Sequence, residues 1–333
     1  MVENRVGLAE LENRTRYEWA DHGAILFPGQ GAQWVGMGRE LYDNSIIARR
    51  IFNQASASLG YSIEDICFNN PDNKLALTQY AQPASAVVDI AAYKVAMDLI
   101  PELKSYKPVA SGGVSFGELP NLVTADVISV SDLFQMAKGR SAITEAVGEK
   151  YPGKMIAVIN VPRDDLQQMC RDATDVWPAI NYHQMMVLSG SLKGIAQISE
   201  TISSKTKGRV IETGVEYAFH TKLMEPGLRA FSKLVDQFEF KDASHPVIMN
   251  PTIKATTSGF EIQRMLPFGL THPIDAVAMI DEARAMGADV FAEFCPKPVL
   301  TGHMRRADKE ARILAVHDFK SAHELKSTLT FSG

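Results

Sequence analysis

A serine stands between two glycines in Gly113-Val114-Ser115-Phe116-Gly117, with Glu118 next. This G-x-S-x-G run lies between an apolar stretch, Lys107–Val114, and a helical periodicity that starts at Leu119, which is the strand–turn–helix context of a nucleophile elbow. In such a turn the glycines permit close approach and the serine is raised above the sheet. The first N–H groups of the following helix then suit a developing oxyanion. The same letters also fit an ordinary glycine turn with an incidental serine. A serine attacks only when a base takes its proton. His220, in Tyr217-Ala218-Phe219-His220, can be that base, but the chain has eight histidines and composition does not choose among them. Arg140 closes the helical stretch Leu119–Arg140. There it reads either as a cation favoured by the helix C-terminus or as a bidentate clamp for a substrate carboxylate. The run Phe27-Pro28-Gly29-Gln30-Gly31-Ala32-Gln33 lacks both the G-x-G-x-x-G spacing and a P-loop lysine. It therefore reads as a loop of backbone donors beside the serine rather than a phosphate cradle.

The elements that position these residues alternate. Ala24–Phe27 reads as a buried strand, Arg39–Leu59 and Gln82–Leu99 as helices, and Tyr151-Pro152-Gly153 as a break. The rhythm then changes. Strands Met155–Val161, Val176–Tyr182, Met185–Leu188 and Arg209–Thr213, with helices Arg163–Cys170 and Leu192–Lys205, spell βαββαβ, the ferredoxin-like order. Thr221–Phe238, Ala276–Met286 and Val299–Ala307 are helical, and Pro246–Met249 and Asp289–Glu293 are strands. The expected architecture is α/β: a mainly parallel sheet covered on both faces, with a ferredoxin-like insert at 153–213. The larger domain spans 23–152 and 214–333, after a charged helical leader at 1–22.

Bulk properties narrow the function. The chain has 333 residues, 46% of them apolar and 22% charged, with a net charge of −5. That balance makes no electrostatic case for nucleic acid. The N-terminal stretch has no apolar core of a secretory signal and no apolar run is long enough for a membrane span, so a cytoplasmic protein is expected. Cys67, Cys170 and Cys295 form no CxxC pair, and His183, His272 and His303 have no partners at ligand spacing, so no metal is implied.

Taken in order, six segments resemble the malonyl-CoA:acyl carrier protein transacylases and the related acyltransferase units of polyketide synthases. FPGQGAQWVGMG is similar to the family's opening loop, and LTQYAQPA to its T-x-x-A-Q-P-A helix start. GVSFGE matches G-H-S-x-G-E at all but one position. Arg140 follows Ser115 by twenty-five residues, where the family places a carboxylate-binding arginine. EYAFHTKLMEP resembles the segment that bears the catalytic histidine, and VFAEFCPKPVLTGHMRR the closing segment. The resemblance runs from Ala24 to Ala315. It implies a hydrolase-like α/β domain with the insert described above, and ping-pong transfer of a malonyl group from malonyl-CoA to the phosphopantetheine thiol of an acyl carrier protein. It also implies roles: Ser115 as nucleophile, His220 as base, the N–H groups of Gln30 and Phe116 as oxyanion donors, Arg140 on the malonyl carboxylate, and the carbonyl of Gly269 orienting His220. Coenzyme A is then a substrate and no cofactor is needed.

The chain departs from the family pattern at several places. Val114 replaces the histidine before the nucleophile, Thr144 stands where many members carry methionine, and Gly269 replaces a glutamine. The loop after Asn181 is short, and Cys295-Pro296-Lys297 replaces Gly-Pro-Gly. These departures suggest a discrete enzyme serving polyketide synthesis rather than a housekeeping fatty acid enzyme. Phe219 resembles the malonyl-selective pattern, so Phe219, Val114 and Thr144 are expected to set acyl choice. Lys297, Arg305 and Arg306 form either a carrier-protein contact or a solvated face. Two other functions compete. One is a proofreading hydrolase of acyl carrier proteins, against which Arg140 speaks. The other is an inactive carrier-docking module, against which the retained Ser115, His220 and Arg140 speak.

Overall fold

The computed structural model describes residues 16–332. Short apolar runs that alternate with helices become parallel strands buried on both faces. β1 (Tyr17–Glu18) precedes β2 (Gly23–Phe27), which is buried at all five positions. β3 (Ala110–Gly113) is likewise buried throughout. With β8 (Val247–Met249), β9 (Lys254–Thr256), β11 (Val290–Phe294) and β12 (Arg312–Val316) they build a six-stranded sheet in the order β12-β11-β2-β3-β8-β9. All its pairings are parallel except that of β9 with β8. The helix Thr78–Leu99 covers one face and is buried nearly all round, which explains its small apolar residues on every side. The helix Ala276–Ala285 packs on the opposite face through Met279, Ile280 and Ala283.

The insert has the expected βαββαβ order. β4 (Gly153–Ile159), β5 (Val176–Tyr182), β6 (Met185–Ser191) and β7 (Arg209–Glu212) lie in the order β5-β6-β4-β7, all antiparallel, with helices Arg163–Asp172 and Leu192–Lys205. Its strands alternate with period two. Ile156 and Val158 of β4 face the insert's own helices, while Met155 and Ala157 join the core shared with the larger domain. A short strand of the larger domain, β10 (Ile274–Asp275), extends this sheet by pairing parallel with β5.

Several boundaries differ from those expected. The stretch Leu119–Arg140 is two helices, Glu118–Thr124 and Val130–Lys150, the second opened by a capping box between Ser129 and Asp132. Arg140 is thus mid-helix, and the dipole reading of its position falls. Arg39–Leu59 is broken by Ser45, whose side chain caps Ile46–Leu59. Residues 1–15 of the expected helical leader lie outside the described residues. Its remainder is not helical, because Tyr17–Glu18 pairs with β13 (Leu329–Thr330). Among the described residues no helix is long and apolar enough to cross a membrane.

Candidate functional site

The sheet places the serine. β2 and β3 are neighbours with Phe27 opposite Gly113, so the loops that leave their C-terminal ends lie side by side. This crevice beyond the carboxyl ends of parallel strands is where α/β folds carry ligand chemistry. Ser115 leaves β3 with φ of 55°, a left-handed conformation that is costly for a residue with a Cβ. The two glycines of the motif make that turn possible. A Cβ on Gly113 would stand 2.0 Å from the Gly117 carbonyl oxygen, and one on Gly117 would stand 2.5 Å from that of Pro28.

On the other side of β3, β8 ends at Met249 and delivers Asn250 to the turn. The Asn250 side chain accepts the Ser115 N–H at 2.7 Å and donates to the Gly113 carbonyl at 2.7 Å. Its own N–H donates to Glu118 Oε1 at 2.8 Å. Asn250 therefore pins both ends of the strained turn. With the Ser115 N–H so occupied, the free donors beside the serine are elsewhere. Among the described residues the N–H groups of Gln30 and Phe116 donate to no protein acceptor. The Gln30 side chain anchors its loop by donating to Thr78 Oγ1 at 3.1 Å and accepting from Gln82 at 3.0 Å. The LTQYAQPA segment thus gains a physical role as the loop's tether.

Ser115 Oγ lies 2.8 Å from His220 Nε2. His220 also has a left-handed backbone, φ of 63°, held by its N–H donating to the Leu270 carbonyl at 2.9 Å. The carbonyls of Gly269 and His272 face the imidazole and favour its protonated form, although Nδ1 closes no well-formed hydrogen bond. Burial, reinforced by the Arg140 guanidinium, outweighs them and pushes the imidazole down to about 3, so the ring rests neutral. Gly269 is buried in the 3₁₀ turn Leu266–Leu270, and a Cβ there would stand 2.9 Å from Glu118 Oε2.

Arg140 is 4% exposed. Its guanidinium lies 5.8 Å from the Phe116 ring centroid and 5.9 Å from that of Phe219. Burial lowers it to about 10, partly offset by Glu118, and burial raises Glu118 to about 8. Among the described residues no carboxylate comes within ion-pair distance of Arg140. A buried cation with no carboxylate in ion-pair contact carries a large desolvation cost that an incoming anion would relieve.

One cavity gathers these groups. Gln30, Gln82, Ser115, Arg140, Phe219 and His220 line it, together with Met155, Ile180 and Val215 from the insert and its edge. Two residues expected to set acyl choice lie outside it. Val114 is fully buried among apolar side chains, because the extended backbone before the turn aims it away from Ser115. Thr144 is fully buried and donates to the Ser141 carbonyl, one helical turn beyond Arg140. Lys297, Arg305 and Arg306 are exposed, with Arg305 donating to the Ile313 carbonyl at 2.7 Å. Among the described residues no cluster of three or more potential metal ligands occurs. Sequence reasoning missed Asn250, Glu118 as the acceptor that fixes it, and the Thr78–Gln82 tether. A polar residue at the C-terminal end of a buried strand, as in Val247-Ile248-Met249-Asn250, is the signal that could have found the first.

A serine elbow on such a sheet, with a ferredoxin-like insert closing its cavity, is the architecture of an acyl transferase, and residues 25–327 match the acyl transferase domain family. A malonyl CoA-acyl carrier protein transacylase of Staphylococcus aureus (strain MRSA252) is 30% identical over 298 residues, covering 88% of this chain and 94% of the relative. The protein of that name from Bacillus subtilis (strain 168) is 29% identical over 300 residues, 89% of this chain and 93% of the relative. The crystal structure of MCAT from Streptococcus pneumoniae aligns with a TM-score of 0.81 at 29% identity, covering 91% of this chain and 98% of that one. The chain belongs to the acyl transferase domain family, within the malonyl CoA-acyl carrier protein transacylases.

Proposed function

We propose that this protein is an [acyl-carrier-protein] S-malonyltransferase that carries the malonyl group on Ser115. The observation that carries the reading is the unpaired, buried Arg140 in the same cavity as the Ser115–His220 pair. An acyl group with a free carboxylate completes that site, whereas a plain acyl chain leaves the cation unsatisfied.

Ser115 Oγ attacks the thioester carbonyl of malonyl-CoA and its proton passes to His220 Nε2. The N–H groups of Gln30 and Phe116 hold the tetrahedral oxyanion. Collapse breaks the C–S bond, and the departing thiolate takes the proton from His220. In the second half, the phosphopantetheine thiol of an acyl carrier protein gives its proton to His220 and attacks the ester. The C–Oγ bond then breaks and Ser115 recovers its proton. The Gly269 carbonyl orients His220 throughout, and Phe219 crowds an α-branch. A malonyl carboxylate on Arg140 also offsets the charge that disfavours the imidazolium, so the right substrate eases the proton transfer it requires.

Malonyl-CoA and an acyl carrier protein are the partners in this reading, in fatty acid or polyketide synthesis. Three free, buried cysteines suit the reducing cytoplasm. The insert at 153–213 acts as a unit against the remainder. Incubation with malonyl-CoA followed by peptide mass mapping tests the reading: malonylated Ser115 is expected, discharged by a phosphopantetheinylated carrier protein. Discharge to water alone would favour a hydrolase, and absence of any adduct a docking module.

A further inference from the structure

The hairpin between β5 and β6 turns in two residues, His183 and Gln184, and this brings Asn181 beside β10 of the larger domain. Three groups converge there on Asp275. Oδ1 accepts from Asn181 Nδ2 at 2.8 Å and from the Ala278 N–H at 3.0 Å, and Oδ2 accepts from Arg163 Nη2 at 2.9 Å. Asp275 thus caps the helix Ala276–Ala285 while binding the insert twice.

Both neighbours of this junction reach the reacting groups. Ile180, paired with Ile274 across the β5–β10 ladder, lines the cavity that holds Ser115 and His220. Three residues before Asp275, the His272 carbonyl faces the His220 imidazole. We propose that Asp275 is a positioning residue for acyl transfer: it locks β5 of the insert to β10, keeping Ile180 closed over Ser115 and the Gly269–His272 carbonyls in place behind His220. This rests on the functional reading above. The adjoining turn of the hairpin has its own ties, with Tyr182 stacked on His303 at 4.3 Å and Gln184 donating to the Arg306 carbonyl at 3.0 Å. Loss of the Asp275 clamp therefore loosens the cavity without releasing the insert.

The atoms allow the clamp to be separated from the cap. Asp275→Asn retains Oδ1, hence the cap and the Asn181 bond, and gives up only the exposed Arg163 pair, a kind of contact of small worth. Asp275→Ser can still cap the helix but is too short to reach Asn181 or Arg163. Asn181→Ala breaks the same bond from the other side and leaves the cap untouched. Two rates are measured on the full-length protein: transfer of malonyl to carrier protein, and loss of malonyl from Ser115 to water without carrier. In the second, water bonds to the ester carbonyl, the C–Oγ bond breaks, and the water proton reaches Ser115 through His220, releasing malonate.

Asp275→Ser and Asn181→Ala should each lower kcat for transfer ~10-fold, because small misplacements of reacting groups are costly. The KM for malonyl-CoA should hold, since Arg140 is untouched, and hydrolysis relative to transfer should rise several-fold. Asp275→Asn should behave as wild type. If Asp275→Ser and Asn181→Ala match wild type in both rates, or if Asp275→Asn is as impaired as Asp275→Ser, the clamp is wrong. Should Asp275→Ser fail to fold, Asn181→Ala decides alone. Wild-type protein in parallel reports on the functional reading itself, so the two failures are told apart.

Discussion

The two walls of the reaction cavity are made differently. The larger domain contributes the apolar Phe219 and five polar residues, Gln30, Gln82, Ser115, Arg140 and His220, and each of the five except Arg140 is held by a hydrogen bond. Met155 and Ile180 of the insert, with Val215 just past its edge, are apolar and held by packing. The contrast divides the labour: the reacting groups are fixed by directional bonds, and the acyl space is closed by apolar packing, from Phe219 on one side and the insert on the other. Arg140 is the exception on the polar wall, and its missing partner is supplied by the substrate.

The division can be broken most severely at Ser115. Ser115→Ala should reduce transfer by on the order of 10⁴–10⁶-fold, as nucleophile loss does in other serine acyl-transfer sites, with the fold unchanged by circular dichroism. Arg140→Ala comes next. Losing a charge-assisted pair of about 1.5–3 kcal/mol should slow acylation by malonyl-CoA ~10–100-fold. It should also move the acid limb of the acylation pH profile. Acylation needs neutral His220, which is available above its folded value of about 3. Because Arg140 helps hold that value down, removing it raises the value, and the limb shifts to higher pH; an unmoved limb would contradict the coupling.

Asn250→Ala leaves the Ser115 N–H and the Gly113 carbonyl without their partner, so it should cost about 1–3 kcal/mol for each group left unsatisfied, read as a lowered Tm, together with slower transfer. Ile180→Ala acts on the other wall. It should admit an α-methyl-branched malonyl group with a ~10-fold gain relative to malonyl, while Tm changes little compared with Asn250→Ala. Val114→Thr should have the smallest catalytic effect. A hydroxyl buried without a partner costs ~1–3 kcal/mol of stability, but acyl preference should not move, because Val114 lies outside the cavity.

The polar wall was partly legible in the sequence and the apolar wall was not. Ser115 could be read because glycine spacing is a local signal of a strained turn, and the insert because strand periodicity differs from helical periodicity. Leu119–Arg140 reads as one helix because the break at Ala125–Ser129 carries no proline or glycine to announce it, and Arg140 reads as its end although the second helix runs on to Lys150. Asn250, Gln82 and Asp275 act across the sheet or between the two bodies, and such pairings leave no trace in local spacing. Val114 and Thr144 are expected at the cavity because they stand where the family pattern carries a histidine and a methionine. The alternation of side chains beside the turn and the rise of one helical turn carry them away from it.

The most direct test of the central claim is a competition. Wild-type protein and Arg140→Ala are each exposed briefly to equal concentrations of malonyl-CoA and acetyl-CoA, and the adduct on Ser115 is weighed by mass spectrometry. Wild type should carry malonyl almost alone, and Arg140→Ala should carry acetyl in comparable or greater amount. Retention of the malonyl preference by Arg140→Ala would show that the buried guanidinium is not what recognises the substrate carboxylate.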